Sequence, residues 1–143
     1  MILYLDTSAL VKLYVREADS VAVRTLARRA EAVATSDVAY PESRAGFARL
    51  FREGGTTRRQ HERRVMQLNQ DWEHYLRVEL IPETTRHAGE LAEIYALRGF
   101  DAIHLASALW LSGRAPKPVL FSAFDQRLRK AAIRAGLNPA STA

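Results

Sequence analysis

The sequence predicts an α/β domain in which a mainly parallel central sheet carries helices on both faces. Short apolar runs alternate with longer segments whose apolar residues recur every three or four positions, the pattern of strands joined by amphipathic helices. Of the 143 residues, 48% are apolar, 7 are Gly and 5 are Pro, which is typical of a compact domain. The sequence contains no internal repeat and no linker, so residues 1–143 are expected to form a single domain.

The first 36 residues predict two strand–helix steps. Each strand is a short apolar run, and each helix begins near a side chain whose oxygen can cap its free N–H groups. The predicted elements are a strand at Ile2–Leu5, a helix capped by Thr7 or Ser8 and extending to about Val15, a helix after Asp19 or Ser20, and a strand at Ala32–Ser36. Asp6 directly follows the first strand and marks its carboxyl end.

Residues 40–76 predict a helical hairpin. A helix after Tyr40–Pro41 ends at the Gly54–Gly55 pair, and Thr56 or Thr57 caps a longer helix that follows. The hairpin segment from Arg44 to Arg64 carries seven arginines against two acids, a local net charge equal to the +5 of the whole chain. They are Arg44, Arg49, Arg52, Arg58, Arg59, Arg63 and Arg64. The planar guanidinium fork suits phosphate, so an anionic polymer is one interpretation, and simple solvation of two helices is the other.

The second half of the chain continues the alternation. It predicts a strand at Val78–Ile81 closed by Pro82, a helix at Glu83–Arg98 ended by Gly99, and a helix from Asp101 to Ser112. These are followed by a strand at Pro118–Ser122, a helix at Asp125–Ala135 stopped by Gly136, and a weaker last strand near Leu137–Ala140. Trp72 and Trp110 lie in apolar helical stripes and are expected to pack in the core. His104, three residues after Asp101, is interpreted as a core histidine.

Composition excludes several classes of site. The chain has no cysteine, which rules out disulfides, thiolate zinc sites and cysteine nucleophiles. Its four histidines do not form an HxH or HxxxH pair, so any metal would need oxygen ligands. No apolar segment approaches the length of a membrane span, and a soluble, cytoplasmic protein without membrane contact is expected.

Four acidic residues fall at strand ends or helix beginnings, namely Asp6, Glu42, Asp101 and Asp125. In an open parallel sheet, ligands bind beyond the carboxyl ends of the strands, so these positions can converge at one edge. Each acid alone is also explained by helix capping or by the helix dipole. Asp6 and Asp101 adjoin apolar segments and are therefore expected to be partly buried.

Carboxylates that share a pocket repel each other unless a cation neutralises them. Mg²⁺ and Mn²⁺ prefer oxygen ligands and usually take one or two carboxylates together with waters and substrate phosphates. Such ions support hydrolysis of phosphodiester bonds. A carboxylate pocket beside an arginine-rich face therefore indicates a nuclease.

The sequence resembles the PIN domain, and within it the VapC-type ribonuclease toxins of bacterial toxin–antitoxin pairs. The resemblance covers essentially the whole chain. It rests on the segment Ile2-Leu-Tyr-Leu-Asp6-Thr-Ser-Ala-Leu, on Gly99-Phe-Asp101-Ala-Ile-His-Leu-Ala, on Phe124-Asp125-Gln-Arg-Leu, and on Glu42 early in the helix after the second strand. It implies a three-layer α/β/α sandwich and a Mg²⁺- or Mn²⁺-dependent endoribonuclease.

The resemblance also implies roles for individual residues. Asp6 and Asp101 would be direct metal ligands, Glu42 and Asp125 would complete the acidic set, and Ser8 would hold the carboxylates by hydrogen bonding. Many relatives carry Thr or Ser two residues before the fourth acid, where this chain has Ala123, with Ser122 one position earlier. The family further implies a homodimer, a cognate antitoxin that covers the acidic site, and contact with operator DNA only through that antitoxin.

Two other functions remain open at the level of sequence. One is a PIN-type nuclease in RNA processing, with neither toxicity nor an antitoxin. The other is a non-catalytic RNA-binding module that uses the arginine hairpin, with its acids serving only as helix caps. Metal-dependent cleavage of RNA is expected of a nuclease and not of the RNA-binding module.

Overall fold

A computed structural model describes residues 1–141 of the chain. Its strands are β1 (Ile2–Leu5), β2 (Ala32–Ser36), β3 (Leu76–Val78), β4 (Val119–Ser122) and β5 (Asn138–Pro139). Its helices are α1 (Thr7–Val11), α2 (Ser20–Arg29), α3 (Ala39–Arg52), α4 (Arg58–Trp72), α5 (Pro82–Tyr95), α6 (Gly99–Ser112) and α7 (Gln126–Arg134). The predicted α/β class is confirmed, as is the weak last strand.

The five strands form one sheet in the order β3-β2-β1-β4-β5, and every pairing in it is parallel. The central strand, β1, has β2 on one side and β4 on the other. The chain thus builds the sheet outward from β1 in one direction, then crosses back and extends it in the other. This reversal creates a crevice at the carboxyl ends of β1 and β4, where sheets of this type place their sites.

Helices cover both faces of the sheet, as the α/β/α expectation requires. Alternate residues of β1 point to opposite faces: Ile2 and Tyr4 contribute to a core beneath α5, α6 and α7, whereas Leu3 and Leu5 contribute to a core beneath α1, α3 and α4. All four side chains are buried. β1 is therefore apolar throughout, as expected for a parallel strand covered on both sides.

The third strand lies earlier than predicted. It spans Leu76–Val78 rather than Val78–Ile81, because it pairs with the end of β2 at Ala34–Ser36. Ile81 instead has an extended backbone and precedes the first helical residue, Pro82. Leu76, which continues the apolar spacing of the preceding helix (Val65, Leu68, Trp72) and would be predicted to belong to it, lies instead in the sheet.

Several helix ends also differ from the predictions. Asp6, rather than Thr7 or Ser8, caps α1, which ends at Val11. α3 begins before Pro41, whose missing N–H is tolerated in a first turn. The predicted cap of α4 is confirmed, since Thr57 forms a capping box with Gln60.

The end of α5 shapes the site. This helix stops at Tyr95, because Ala96 adopts a left-handed backbone with φ 53° and the Leu97 N–H bonds to the Ala92 carbonyl. Leu97 is buried by this turn. Gly99, predicted to end α5, instead begins α6, so Asp101 lies within the first turn of α6.

No helix within residues 1–141 is both long and apolar enough to cross a membrane. The predicted hairpin corresponds to α3 and α4, which pack against each other. The assignment of residues 1–143 to a single domain stays a prediction.

Candidate functional site

Asp6 lies at the crevice between the carboxyl ends of β1 and β4. Its N–H donates to the Ser122 carbonyl, 3.1 Å away at the end of β4. Its Oδ1 accepts from the Ala9 N–H at 2.9 Å and from the Ser8 hydroxyl at 2.7 Å. Asp6 therefore caps α1 and still presents a second carboxylate oxygen, Oδ2, and the hydrogen bond expected from Ser8 is present.

Asp6 and Asp101 lie within electrostatic range of each other in spite of their like charge. Asp6 is only 3% exposed, and burial raises the pKa of its carboxyl, with the charge of Asp101 raising it further. Opposing contributions come from His104 and from the hydrogen bonds of Ala9 and Ser8. Asp101 itself is mostly buried, and the Arg98 Nε donates to its Oδ2 at 3.2 Å. A cation between these two acids would relieve their repulsion.

Glu42 is fixed in the first turn of α3 by two neighbours. Its Oε1 accepts from the Thr7 hydroxyl at 2.5 Å and lies 3.1 Å from the His104 Nε2. Burial acts to raise the Glu42 pKa, but the bonds from His104 and Thr7 and the charge of Arg98 leave this pKa below its usual value. Glu42 is therefore ionised at neutral pH.

His104 connects Glu42 to the core of the protein. It is 2% exposed, its Nδ1 lies 2.9 Å from the Tyr4 hydroxyl, and its Nε2 lies 3.0 Å from the Thr7 hydroxyl. These contacts are all satisfied when Tyr4 donates to Nδ1 and the proton sits on Nε2. His104 is thus a core residue, as predicted, that also contacts the site.

A cleft of about 530 Å³ opens over Glu42 and Asp101. It is lined by Glu42, Arg98, Gly99, Phe100, Asp101 and Ile103. Phe100 is 57% exposed at this cleft, an unusual position for a phenyl ring. The cleft joins two carboxylates, a guanidinium group and an accessible aromatic ring, which suits an anionic substrate that has stacking groups.

Asp125 occupies a different setting from the other three acids. It is exposed at the N-cap of α7, where its Oδ1 accepts from the Leu128 N–H at 2.9 Å. Its charge is absent from the interactions that shift the pKa values of Asp6 and Glu42. Ser122 and Ala123 before it are buried. The role of Asp125 as a fourth acid stays a prediction.

The residues at the site fit a hard divalent cation. Asp6 and Asp101 supply only oxygen donors, and within residues 1–141 no three His, Cys, Asp or Glu side chains are grouped as a ready-made metal cage. Mg²⁺ commonly binds through one or two carboxylates and keeps its other positions for water and phosphate. Asp6 is already oriented by two hydrogen bonds, as such a ligand requires.

Sequence reasoning did not single out Tyr4, Thr7 and Arg98, which contact the acids or His104. Thr7 was considered only as a cap, and Tyr4 only as a strand residue. The one signal in the sequence that could have indicated these contacts was His104, a histidine within the apolar stripe of α6. Trp72 and Trp110 pack against the two cores, as predicted.

Asp6→Asn is expected to raise the melting temperature of the metal-free protein at neutral pH. The folded state binds the Asp6 proton more tightly than the unfolded chain does, so ionisation of this carboxyl above its raised pKa destabilises the fold. Asn retains the oxygen that accepts from Ser8 and Ala9 and is an equally good cap. Thermal melts in EDTA should show the higher melting temperature of Asp6→Asn at neutral pH. The difference from the wild-type protein should disappear below the ordinary Asp pKa of 3.8.

A lower melting temperature for Asp6→Asn at neutral pH would contradict this expectation. It would mean that interactions of the charged carboxylate outweigh the cost of burying it. Asp19→Asn provides the control, since Asp19 is exposed at the start of α2 and forms no capping bond.

Comparisons with known proteins agree with this architecture. The family model of the PIN domain matches residues 3–134. Ribonuclease VapC45 of Mycobacterium tuberculosis strain CDC 1551 / Oshkosh and Ribonuclease VapC49 of strain H37Rv are each 37% identical to this chain over 139 residues, covering 94% of it and 92% of the relative.

Solved structures show the same fold. FitAcB from Neisseria gonorrhoeae superposes with a TM-score of 0.67 at 18% identity, covering 99% of this chain and 98% of that one. VapBC2 from Rickettsia felis, bound to a DNA fragment from its promoter, gives a TM-score of 0.60 at 14% identity, covering 87% and 88%. With its family model matched over nearly all of its length and its fold shared with these structures, this chain belongs to the PIN domain family.

Proposed function

We propose that this protein is a metal-dependent endoribonuclease and the toxin of a toxin–antitoxin pair. The observation that carries the proposal is the buried Asp6 carboxylate at the carboxyl end of β1, within electrostatic range of Asp101, which lines an open cleft together with Glu42. Two relatives that are 37% identical over most of the chain are named ribonucleases, which supports RNA as the substrate.

Asp6 and Asp101 are the residues that would hold Mg²⁺ or Mn²⁺, with Glu42 and Asp125 completing the acidic set. A bound divalent ion lowers the pKa of water and stabilises negative charge on a phosphodiester. Glu42, ionised and fixed by Thr7 and His104, is placed to accept a proton from an attacking water. Arg98 lies at the cleft beside Asp101, with 81% of its side chain exposed, and can pair with a substrate phosphate.

The proposal extends to partners. A cognate antitoxin is part of the proposal, because the similar solved structures include a toxin–antitoxin complex from Klebsiella pneumoniae and VapBC2 on promoter DNA. We propose that it covers the acidic cleft. We propose a homodimeric toxin that contacts operator DNA only through the antitoxin. Its place of action would be the cytoplasm, where RNA is available.

Cleavage of total RNA by the purified protein tests this function. Discrete fragments are expected with Mn²⁺ or Mg²⁺, and intact RNA is expected with EDTA, because the carboxylates alone cannot stabilise a charged transition state. RNA that is bound but uncut under all conditions would instead favour a non-catalytic RNA-binding module.

Expression in a bacterial host separates the two nuclease hypotheses. A toxin should arrest growth, and co-expression of the protein encoded next to it should restore growth. Metal-dependent cleavage without growth arrest would favour a nuclease in RNA processing.

A further inference from the structure

A second cleft lies away from the acidic residues and carries the opposite charge. It measures about 470 Å³ and is formed by the turn after α1, by α2 and by α4. Its lining residues are Tyr14, Arg16, Arg24, Gln60, Arg63 and Arg64. Four of the six are arginines and none is acidic. Glu17, next to Arg16 in sequence, pairs with Lys12 instead.

Two of these arginines are held in place by uncharged groups. The Arg64 Nε donates to the Tyr14 carbonyl at 3.2 Å, and its Nη1 donates to the Thr56 hydroxyl at 2.9 Å. The Arg24 Nη2 lies 3.5 Å from the Leu13 carbonyl. Carbonyl and hydroxyl oxygens orient a guanidinium group but leave its positive charge without a counter-ion.

The other two arginines complete the charge of the cleft. Arg16 and Arg63 are exposed, and in the part of the chain that the structure describes neither forms an ion pair. The cleft therefore combines two oriented guanidinium groups with two that are free to close on a ligand. Such a concave, unneutralised site is suited to a phosphate-bearing anion.

We propose that this arginine cleft binds the phosphate backbone of the RNA substrate, an inference that rests on the proposed function. RNA fits this cleft better than an acidic helix of a partner protein does. A groove that binds an amphipathic helix is lined mainly by apolar side chains. Here Tyr14 is the one aromatic side chain of the lining, and the other five side chains are polar or charged. The planar guanidinium fork is also the group best matched to phosphate oxygens.

Tyr14 of the arginine cleft packs through the core against α3, the helix that carries Glu42. The Tyr14 ring packs edge-on against Phe47 with ring centroids 5.9 Å apart. Phe47 follows Glu42 by five residues on α3, a rise of about 7.5 Å. The arginine cleft shares no lining residue with the acidic cleft, so it would act on RNA binding rather than on the chemical step.

The experiment compares two variants that lose the same charge. Arg16→Gln/Arg63→Gln removes the two free guanidinium groups, whereas Arg28→Gln/Arg29→Gln removes two exposed arginines at the end of α2, outside the cleft. Binding of a labelled single-stranded RNA of mixed sequence is measured in EDTA at several salt concentrations. Because each phosphate contact on a single strand contributes about 0.7 to the slope of log K against log salt, the cleft variant should lower that slope by about 1.4.

Steady-state cleavage gives a second readout. The cleft variant should raise KM for RNA several-fold with little change in kcat, since its residues lie away from the cut bond. The control variant should keep the wild-type values of slope and KM. Equal losses in both variants, or a slope unchanged in the cleft variant, would overturn the proposal.

Polyglutamate serves as the competing ligand. If the cleft variant binds RNA normally but loses binding to polyglutamate, the cleft belongs to an acidic protein partner and the RNA assignment is wrong. These binding results do not require cleavage. A protein that binds RNA through the cleft without cutting it would contradict the proposed nuclease while supporting this inference.

Discussion

Asp6→Asn and Asp101→Asn should each lower the rate of RNA cleavage by about 100-fold or more. Each change removes one negative charge from the pair that is expected to hold the divalent ion. It replaces a carboxylate with an amide of nearly the same shape, so the hydrogen bonds to Asp6 Oδ1 can persist. Initial rates of RNA cleavage at saturating Mn²⁺ measure the loss, and circular dichroism checks the fold.

Two further variants make this test specific. Asp19→Asn applies the same chemical change at the start of α2, where the side chain forms no capping bond, and should cleave at the wild-type rate. Asp125→Asn examines the fourth acid, which is exposed and caps α7. Substantial cleavage by either Asp6→Asn or Asp101→Asn would show that the metal is held elsewhere.

Local patterns in the sequence predicted most of the fold. The apolar runs of β1, β2 and β4 and the capping residues of α4 and α7 are local signals, and the structure follows them. The third strand was misplaced because residues 78–81 are as apolar as a strand. What decides its position is pairing with Ala34–Ser36, a contact between distant segments.

The end of α5 was missed for a related reason. Gly99 is the usual kind of residue to end a helix, but the chain turns earlier at Ala96, which takes a left-handed backbone despite having a Cβ atom. Burial of Leu97 accompanies this turn. The rule that glycine favours helix ends considers only neighbouring residues. It cannot detect a left-handed alanine whose conformational cost is offset by packing elsewhere in the protein.

The acidic residues could be located from sequence because strand ends and helix starts predict where side chains converge. The contacts that hold these acids in place could not be predicted from the sequence. Tyr4 and His104 are 100 residues apart in sequence, and Tyr4 lies in an apolar strand where it is indistinguishable from a packing residue. A buried histidine that packs and a buried histidine that orients a carboxylate give the same sequence pattern.

We expect His104 to be a positioning residue for Glu42, which two substitutions can separate from its packing role. Gln places an amide near the position of Nε2 and can still donate to Glu42, whereas Asn places its amide near Nδ1 and can reach only Tyr4. Both remove the ring from a fully enclosed position. Each should therefore destabilise the protein, by roughly 1–3 kcal/mol.

Cleavage rates should separate the two variants even though their stabilities are similar. His104→Asn leaves Glu42 without its histidine donor and should lower kcat by about 10- to 100-fold, the usual cost of losing a residue that orients a catalytic carboxylate. His104→Gln should retain most of kcat. Chemical denaturation gives the free energy of unfolding, and single-turnover cleavage of RNA gives the rate of the chemical step.

A role in packing alone predicts a different pattern. In that case kcat would follow stability, and the two variants would lose activity equally. Tyr4→Phe provides an independent comparison, because it removes the hydroxyl that satisfies Nδ1 but leaves the contact between Nε2 and Glu42 in place. It should lower stability by about 1–3 kcal/mol through the unpaired Nδ1 and change kcat less than His104→Asn does. That order of effects would place the catalytic importance of His104 at its Nε2 atom, on the side that faces Glu42.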